Sequence, residues 1–487
     1  MKVDLSMDKC SSAATSKLLV AGIAKDLQAL AGKADAQVVS LGIDLMLGKR
    51  KDGKMSKAKA RIKKFLARVK KVKRIRSSIP RGASRIQRIF TTGLKPAVAY
   101  GRAVNGTTDK ELHTIRGQMM RGNAPDHGGV SHTFKAALVG DPAWDTAVAP
   151  AMAWARNLWK ATNQPQSAVM PLLDMISVWN EVDKNLEARW QDTRGPIHRA
   201  VLSLHRIQWK ALEAGKWEDD LGEEVDLFHT SPALLAKKLQ QATQRWHERR
   251  AMSRWHEDEE RQEDRLCFDV VKHLANKNGD RQEQYLTKSA ATMGIWTQTR
   301  LKDAGCEIED TKCPMCHLAE DTIQHRCWLC THPEVKKARD RNSSPVLREW
   351  AAEEVSKPGQ QDLFWVTGLF PHPVGKWPLA AKDNLVQVTD SEGRRMQLAE
   401  TSFGGGAVCA DGSATRSIVP EMRRATWAAV FMNKGSFQPR VVISGTVPRS
   451  LPQTAPCAEH CALAMATVYA EEAWEAHSDC TNVVKGA

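Results

Sequence analysis

Three carboxylates near the end of the sequence stand where phosphodiester chemistry could use them. The apolar run 407–410 leads into Asp411-Gly412-Ser413, and two strand-like runs follow at 425–433 and 440–447. A helical stretch comes next, with an apolar stripe of Ala458, Cys461, Ala462, Met465 and Val468. Glu459 falls in its first turn, and Asp479 follows what reads as a short fourth strand. An Asp-Gly pair taken alone reads simply as a turn, because glycine supplies a positive φ. If the fourth strand lies parallel beside the first, Asp411, Glu459 and Asp479 converge. Clustered carboxylates repel one another unless cations sit between them, and hard oxygen donors suit Mg²⁺. Two such ions about 4 Å apart activate a water and stabilise the leaving oxygen in phosphodiester cleavage.

A second group has softer ligands. Cys313, Cys316, His325 and Cys330 are spaced Cys-x2-Cys-x8-His-x4-Cys. A Cys-x2-Cys knuckle places two thiolates on one ion, and a second pair about one helical turn apart completes a closed tetrahedral set. That is a structural zinc arrangement with no open position for catalysis. Cys327, His317 and His332 lie close enough in sequence to replace one of the four. A third acidic group, Trp217-Glu218-Asp219-Asp220, resembles a polymerase aromatic-x-Asp-Asp motif only superficially. Its neighbours are Lys, Glu and Gly rather than apolar strands, so it reads as a solvated acidic loop.

The elements that must position these groups differ along the chain. The 487 residues carry a net charge of +15, which favours a polyanionic partner, most simply nucleic acid. The positive charge is concentrated: residues 49–88 hold 18 Lys or Arg and one acid, Asp52. Within this run Ile62, Phe65, Leu66, Val69 and Val72 recur at helical spacing, giving an amphipathic basic helix that ends near Pro80. Lys59, Arg61, Lys63, Lys64, Arg68, Lys70, Lys71, Lys73, Arg74 and Arg76 are its candidate phosphate contacts, which would be salt-sensitive and blind to sequence. Residues 1–48 mix helix-like and strand-like segments, and 84–290 read as mostly helical. No secretory signal and no apolar run long enough to span a membrane are present. Clustered cysteines without such a signal fit an intracellular setting, and the Lys/Arg run favours the nucleus over the cytoplasm.

The carboxylate-bearing segments resemble type-1 ribonuclease H. "VCADGSATRSIVPEMRRATWAAVFM", "SLPQTAPCAEHCALAMA" and "SDCTNVVKGA" are similar, in order, to that family's Asp-Gly-Ser strand, its Thr-x-x-x-Ala-Glu-x-x-Ala helix start and its Asp-x-x-x-Val-Val segment. One more residue separates Thr454 from Ala458-Glu459 than many members have. The resemblance implies that Asp411, Glu459 and Asp479 are catalytic Mg²⁺ ligands, with Asp411 bridging two ions, in an enzyme that hydrolyses the RNA strand of an RNA–DNA hybrid. It covers roughly residues 400–487. The family's fifth strand, catalytic histidine loop and fourth carboxylate have no counterpart in these residues, so a C-terminally truncated domain is expected.

Upstream, "VVSLGIDLMLGKRKDGKMSKAKARIKKFLARV" and "TTGLKPAVAYGRAVNGTTDKELHTIRGQMMRG" resemble the region after the polymerase palm in non-LTR (LINE-type) retrotransposon reverse transcriptases. A Cys3His knuckle also recurs in such elements ahead of ribonuclease H. The expected architecture is therefore multidomain: an α-rich N-terminal part plus an α/β ribonuclease H-like C-terminal domain with an incomplete mixed sheet. The expected segments are a post-palm-like segment with the basic helix (1–100), a helical region (101–299), a zinc knuckle (300–345), a linker (346–399) and the truncated domain (400–487). The rival expectation is a nucleic-acid-binding remnant of a reverse transcriptase without catalysis.

Overall fold

The computed structural model describes residues 11–13, 25, 33–35, 37–40, 43–46, 56–76, 88–121, 128–182, 189–253, 265–277, 280–357, 363–372 and 380–480. The helix expected within 16–33 and the ends of the Lys/Arg run lie outside the described residues. The chain divides into two compact units, one of residues 1–266 and 278–369, the other of 267–277 and 370–487. Among the described residues no helix is long and apolar enough to cross a membrane.

The first unit is α-rich. The basic helix Ser56–Arg76 buries Phe65, Val69 and Val72, the stripe that sequence periodicity picks out. Its start is capped from outside: Asp44, on the hairpin strand Ile43–Met46, accepts from the backbone N–H of Lys57 and Ala58 at 3.3 and 2.9 Å. A carboxylate there satisfies orphan donors and complements the helix dipole. The Gly-Leu-Lys-Pro break is a π-helical stretch, Ile89–Leu94, running into Lys95–Ala99. Pro96 lacks an N–H, which disturbs the helical ladder at that point. Helices Ala149–Asn163, Gly195–His205 and Pro232–Ser253 share one core with Trp179, Trp209 and Trp217, each of which is buried.

One expectation for the first unit needs correction. The Trp217–Asp220 stretch is not a solvated loop. Strands Lys216–Glu218 and Glu224–Asp226 pair antiparallel, and the turn between them tucks Asp220 inward. Its carboxylate accepts from Arg245 at 2.5 and 2.7 Å, from Arg249 at 3.1 Å and from the Trp209 indole at 3.1 Å. A buried charge is tolerable when paired and hydrogen-bonded in this way. The stretch after 345 reads in the sequence as a linker with one short helix. Helix Pro345–Ser356, capped by Ser344, packs Ala351 and Val355 against Trp365. Trp328 and Trp350 meet the Trp365 ring edge-on at 5.5 and 5.0 Å.

The second unit carries a mixed six-stranded sheet. Its strands are β1 (Val386–Asp390), β2 (Arg395–Met396), β3 (Gly406–Ala414), β4 (Ala425–Met432), β5 (Pro439–Thr446) and β6 (Trp474–His477), in spatial order β2-β1-β5-β4-β3-β6. β3, β4 and β5 form the expected antiparallel meander. β6 joins β3 in parallel, with Val408 opposite Ala476 and Cys409 opposite His477. β1, inside the supposed linker, adds to the outer edge of β5. Helix Ala455–Tyr469 crosses over between β5 and β6. Its residues Ala458, Ala462 and Ala466 are buried in one core with Val408, Ala410, Trp427 and Phe431. An alanine stripe lets the helix approach the strands closely.

Candidate metal centres and a basic face

The approach is closest at Gly412. A Cβ on this residue would lie 2.4 Å from the Glu459 backbone nitrogen and 2.7 Å from Ala458 Cβ. Glycine is therefore required here by the seating of the helix N-terminus, not by a turn. β3 runs straight on through Asp411, Gly412 and Ser413 to Ala414, in register with β4. The turn anticipated at Asp-Gly does not occur. Thr454 caps the helix by accepting from the Cys457 N–H, and Pro456 occupies its first turn, where a missing N–H costs nothing. Glu459 is thereby carried to Asp411, and the parallel β3–β6 pairing brings up Asp479, two residues past the end of β6.

One carboxylate oxygen from each of Asp411, Glu459 and Asp479 lies within 4.8 Å of the others. Asp411 and Asp479 are exposed, whereas Glu459 is buried. Burial, and then the charges of Asp411 and Asp479, push the Glu459 carboxyl above its ordinary pKa. The Gly412 N–H and the Ser478 hydroxyl, 3.4 Å from Oε2, oppose that rise. This like-charge repulsion is what a divalent cation relieves, and an all-oxygen donor set suits a hard one. Beside Asp411 a cleft of about 530 Å³ opens over the sheet, lined by Gln387, Ser413, Thr426, Ser444 and Thr446 among others. Its wall is rich in hydroxyl groups.

The cysteine-rich group also converges. Cys313, Cys316, His325 and Cys330 each offer an atom within 4.8 Å of the rest, with Cys316 Sγ 3.2 Å from His325 Nε2 and Cys313 Sγ 3.9 Å from Cys330 Sγ. His317, Cys327 and His332 stand outside this set. The knuckle closes through His317 N–H to Cys313 O at 2.9 Å and Cys313 N–H to Ala319 O at 2.8 Å, with His317 at φ 57°. Backbone N–H groups of Leu318 and Ala319, together with His325, bring the Cys316 thiol down to about 6, as a metal-binding thiolate requires. Burial raises the Cys330 thiol. His325 opens a π-helical turn, His325–Leu329. The sequence pattern alone does not single out Asp321. Its buried carboxylate accepts from Arg326 at 2.5 and 2.6 Å and from the Gln298 N–H at 2.7 Å, anchoring the segment that carries His325.

The exposed face of helix Ser56–Arg76 presents Lys59, Lys63, Lys64, Arg68, Lys70, Lys71 and Arg74 to solvent. Arg61 is half-buried, with its guanidinium 4.8 Å from the Tyr100 ring centre. The side chains of Lys73 and Arg76 lie outside the described residues. No protein-family model, curated protein or solved structure matches this chain.

Proposed function

We propose that this chain is a retrotransposon-derived nucleic-acid-binding protein whose second unit is a ribonuclease H-like nuclease, hydrolysing the RNA strand of RNA–DNA hybrids with Mg²⁺. The observation that carries this reading is the convergence of Asp411, Glu459 and Asp479 at the junction of β3, β6 and the crossover helix. The β5-β4-β3-β6 order with that helix between β5 and β6 is the arrangement the motif resemblance calls for. When bound, Mg²⁺ supplies an activated water and neutralises charge on the leaving oxygen. Asp411, exposed on β3, would hold the cation against the phosphate to be cleaved. Glu459 is held in place by the helix N-terminus, where it would serve as a ligand to a bound cation. Ser413, Thr426 and Ser444 line the cleft as hydroxyl donors for a sugar–phosphate backbone. The Cys3His set fits a structural Zn²⁺: two of its ligand separations, 3.2 and 3.9 Å, lie close to the edges of about 3.3–3.8 Å of a tetrahedron built on bonds of about 2.0–2.3 Å.

The second reading, binding without cleavage, rests on a different observation. Among the described residues the basic helix exposes eight cationic side chains, Lys57 with the seven named above, while its apolar stripe is buried. That face suffices to hold a polyanion whether or not the carboxylates are catalytic.

One assay separates the two readings. A labelled RNA–DNA hybrid is incubated with the chain and Mg²⁺ beside Asp411→Asn. Cleavage by the parent that falls at least about a hundredfold in the variant supports the nuclease. Salt-sensitive binding with no cleavage by either protein leaves the binding reading alone.

A further inference from the structure

We propose that Cys267, Asp269 and His372 form a further zinc site, which ties together the two sequence segments of the second unit. The inference does not depend on the nuclease reading. The short strand Leu266–Cys267 pairs with Phe370–Pro371, and His372 is the next residue. Strand pairing thus lays Cys267 beside His372 although they are far apart in sequence. Asp269 is the first residue of helix Asp269–Lys277, two positions after Cys267. A thiol sulfur, a carboxylate oxygen and an imidazole nitrogen from these three lie within 4.8 Å of one another.

The spacing distinguishes a metal site from simpler explanations. His372 Nε2 lies 4.0 Å from Asp269 Oδ2. A charge-assisted hydrogen bond would bring these atoms to about 2.7–2.9 Å. Two ligands on one zinc sit about 3.3–3.8 Å apart, given bonds of about 2.0–2.3 Å in a tetrahedron, so a small contraction around an ion completes the site. Lys272 Nζ is 3.3 Å from Asp269 Oδ1, which leaves Oδ2 directed at the imidazole. A Cys-His-Asp nucleophile is excluded by access, because Cys267 is 0% exposed and the His372 side chain only 2%. The mixed thiolate, imidazole and carboxylate set favours Zn²⁺ over Mg²⁺ or Ca²⁺. Three protein ligands leave the fourth position to water.

Zinc content of the full-length chain tests this after dialysis in excess Mg²⁺, which occupies the all-carboxylate group. The parent is expected to retain two Zn²⁺ per chain. The double variant Cys267→Ala with His372→Ala is expected to lose one, and Cys316→Ala with Cys330→Ala to lose the other. Zinc content unchanged by the Cys267/His372 pair overturns the site, whatever the cysteine-rich segment does. If that pair does not fold, Co²⁺ is loaded into a chain carrying Cys313→Ala, Cys316→Ala and Cys330→Ala. A thiolate-to-Co²⁺ charge-transfer band of single-thiolate strength supports the site, and its absence overturns it.

Discussion

At the scale of single residues, two positions show why a sequence motif and its surroundings part company. Asp220 sits in a stretch that looks solvent-seeking, yet its carboxylate is sealed against Arg245 and Arg249. Burial alone would raise its pKa, but the two guanidiniums outweigh burial and hold it at about 2, against 3.8 for an ordinary aspartate. The stability it contributes is therefore whole above about pH 4 and is lost as pH falls toward 2. Asp220→Ala, which strands two buried guanidiniums, is expected to cost about 3–5 kcal/mol in thermal or urea melts. A cost under about 1 kcal/mol, the range of an exposed pair, would mean that the cluster is solvated after all. Gly412 makes the opposite point. Gly412→Ala drives a methyl into the Glu459 backbone, and overpacking of this kind typically costs about 1–3 kcal/mol. Because the displaced residue is Glu459, Mg²⁺ affinity measured by titration calorimetry is expected to fall along with the melting temperature. A stability loss with unchanged Mg²⁺ binding would separate Gly412 from the carboxylate site.

At the scale of elements, legibility in the sequence follows the range of the interactions involved. The β3–β5 meander and the helix Ala455–Tyr469 are readable because apolar periodicity and capping are local signals. The Cys3His set is readable because its ligands lie within eighteen residues of one another. Short β-like runs are expected from about 362, but the pairing of β1 escapes a sequence reading because its partner β5 comes some fifty residues later. The Asp220 cluster escapes it because the arginines lie on helix Pro232–Ser253, a separate element. Cys267, Asp269 and His372 have no motif spacing at all, since only a strand pairing joins them. The basic helix is legible as an amphipath, but its cap from Asp44 is not. Its exposed charges bear on the binding reading directly. Lys63→Gln, Lys64→Gln and Lys71→Gln together leave the apolar stripe untouched, so the melting temperature is expected to hold. If these side chains meet phosphates, the slope of log affinity against log salt should shrink by about 0.7–0.9 for each phosphate no longer neutralised. An unchanged slope would make the helix an ordinary solvated surface.

At the scale of the whole molecule, the chain separates two kinds of chemistry. Each unit has its own hydrophobic core, and each carries different candidate ligands: cationic side chains and a thiolate-rich metal set in the first, clustered carboxylates and the Cys267, Asp269 and His372 group in the second. A ligand that binds only the native form of one unit stabilises that unit alone, by about 2.7 kcal/mol at a hundredfold excess over its dissociation constant. Scanning calorimetry of the 487-residue chain is therefore expected to show that Mg²⁺ raises one transition, that Asp411→Asn abolishes the shift, and that a short hybrid at low salt also raises the other. The raised Glu459 carboxyl sets a direction for the first effect. Its pKa is raised in the cation-free site, so protons compete with Mg²⁺ over a range that extends above that of an ordinary carboxylate, and the Mg²⁺-induced shift should grow as pH rises through that range. A shift that grows instead toward acid would mean that the cation binds elsewhere than at these carboxylates. A Mg²⁺ shift that survives Asp411→Asn would also place the cation elsewhere, because Asp411, exposed on β3, supplies a charge that the other two cannot replace.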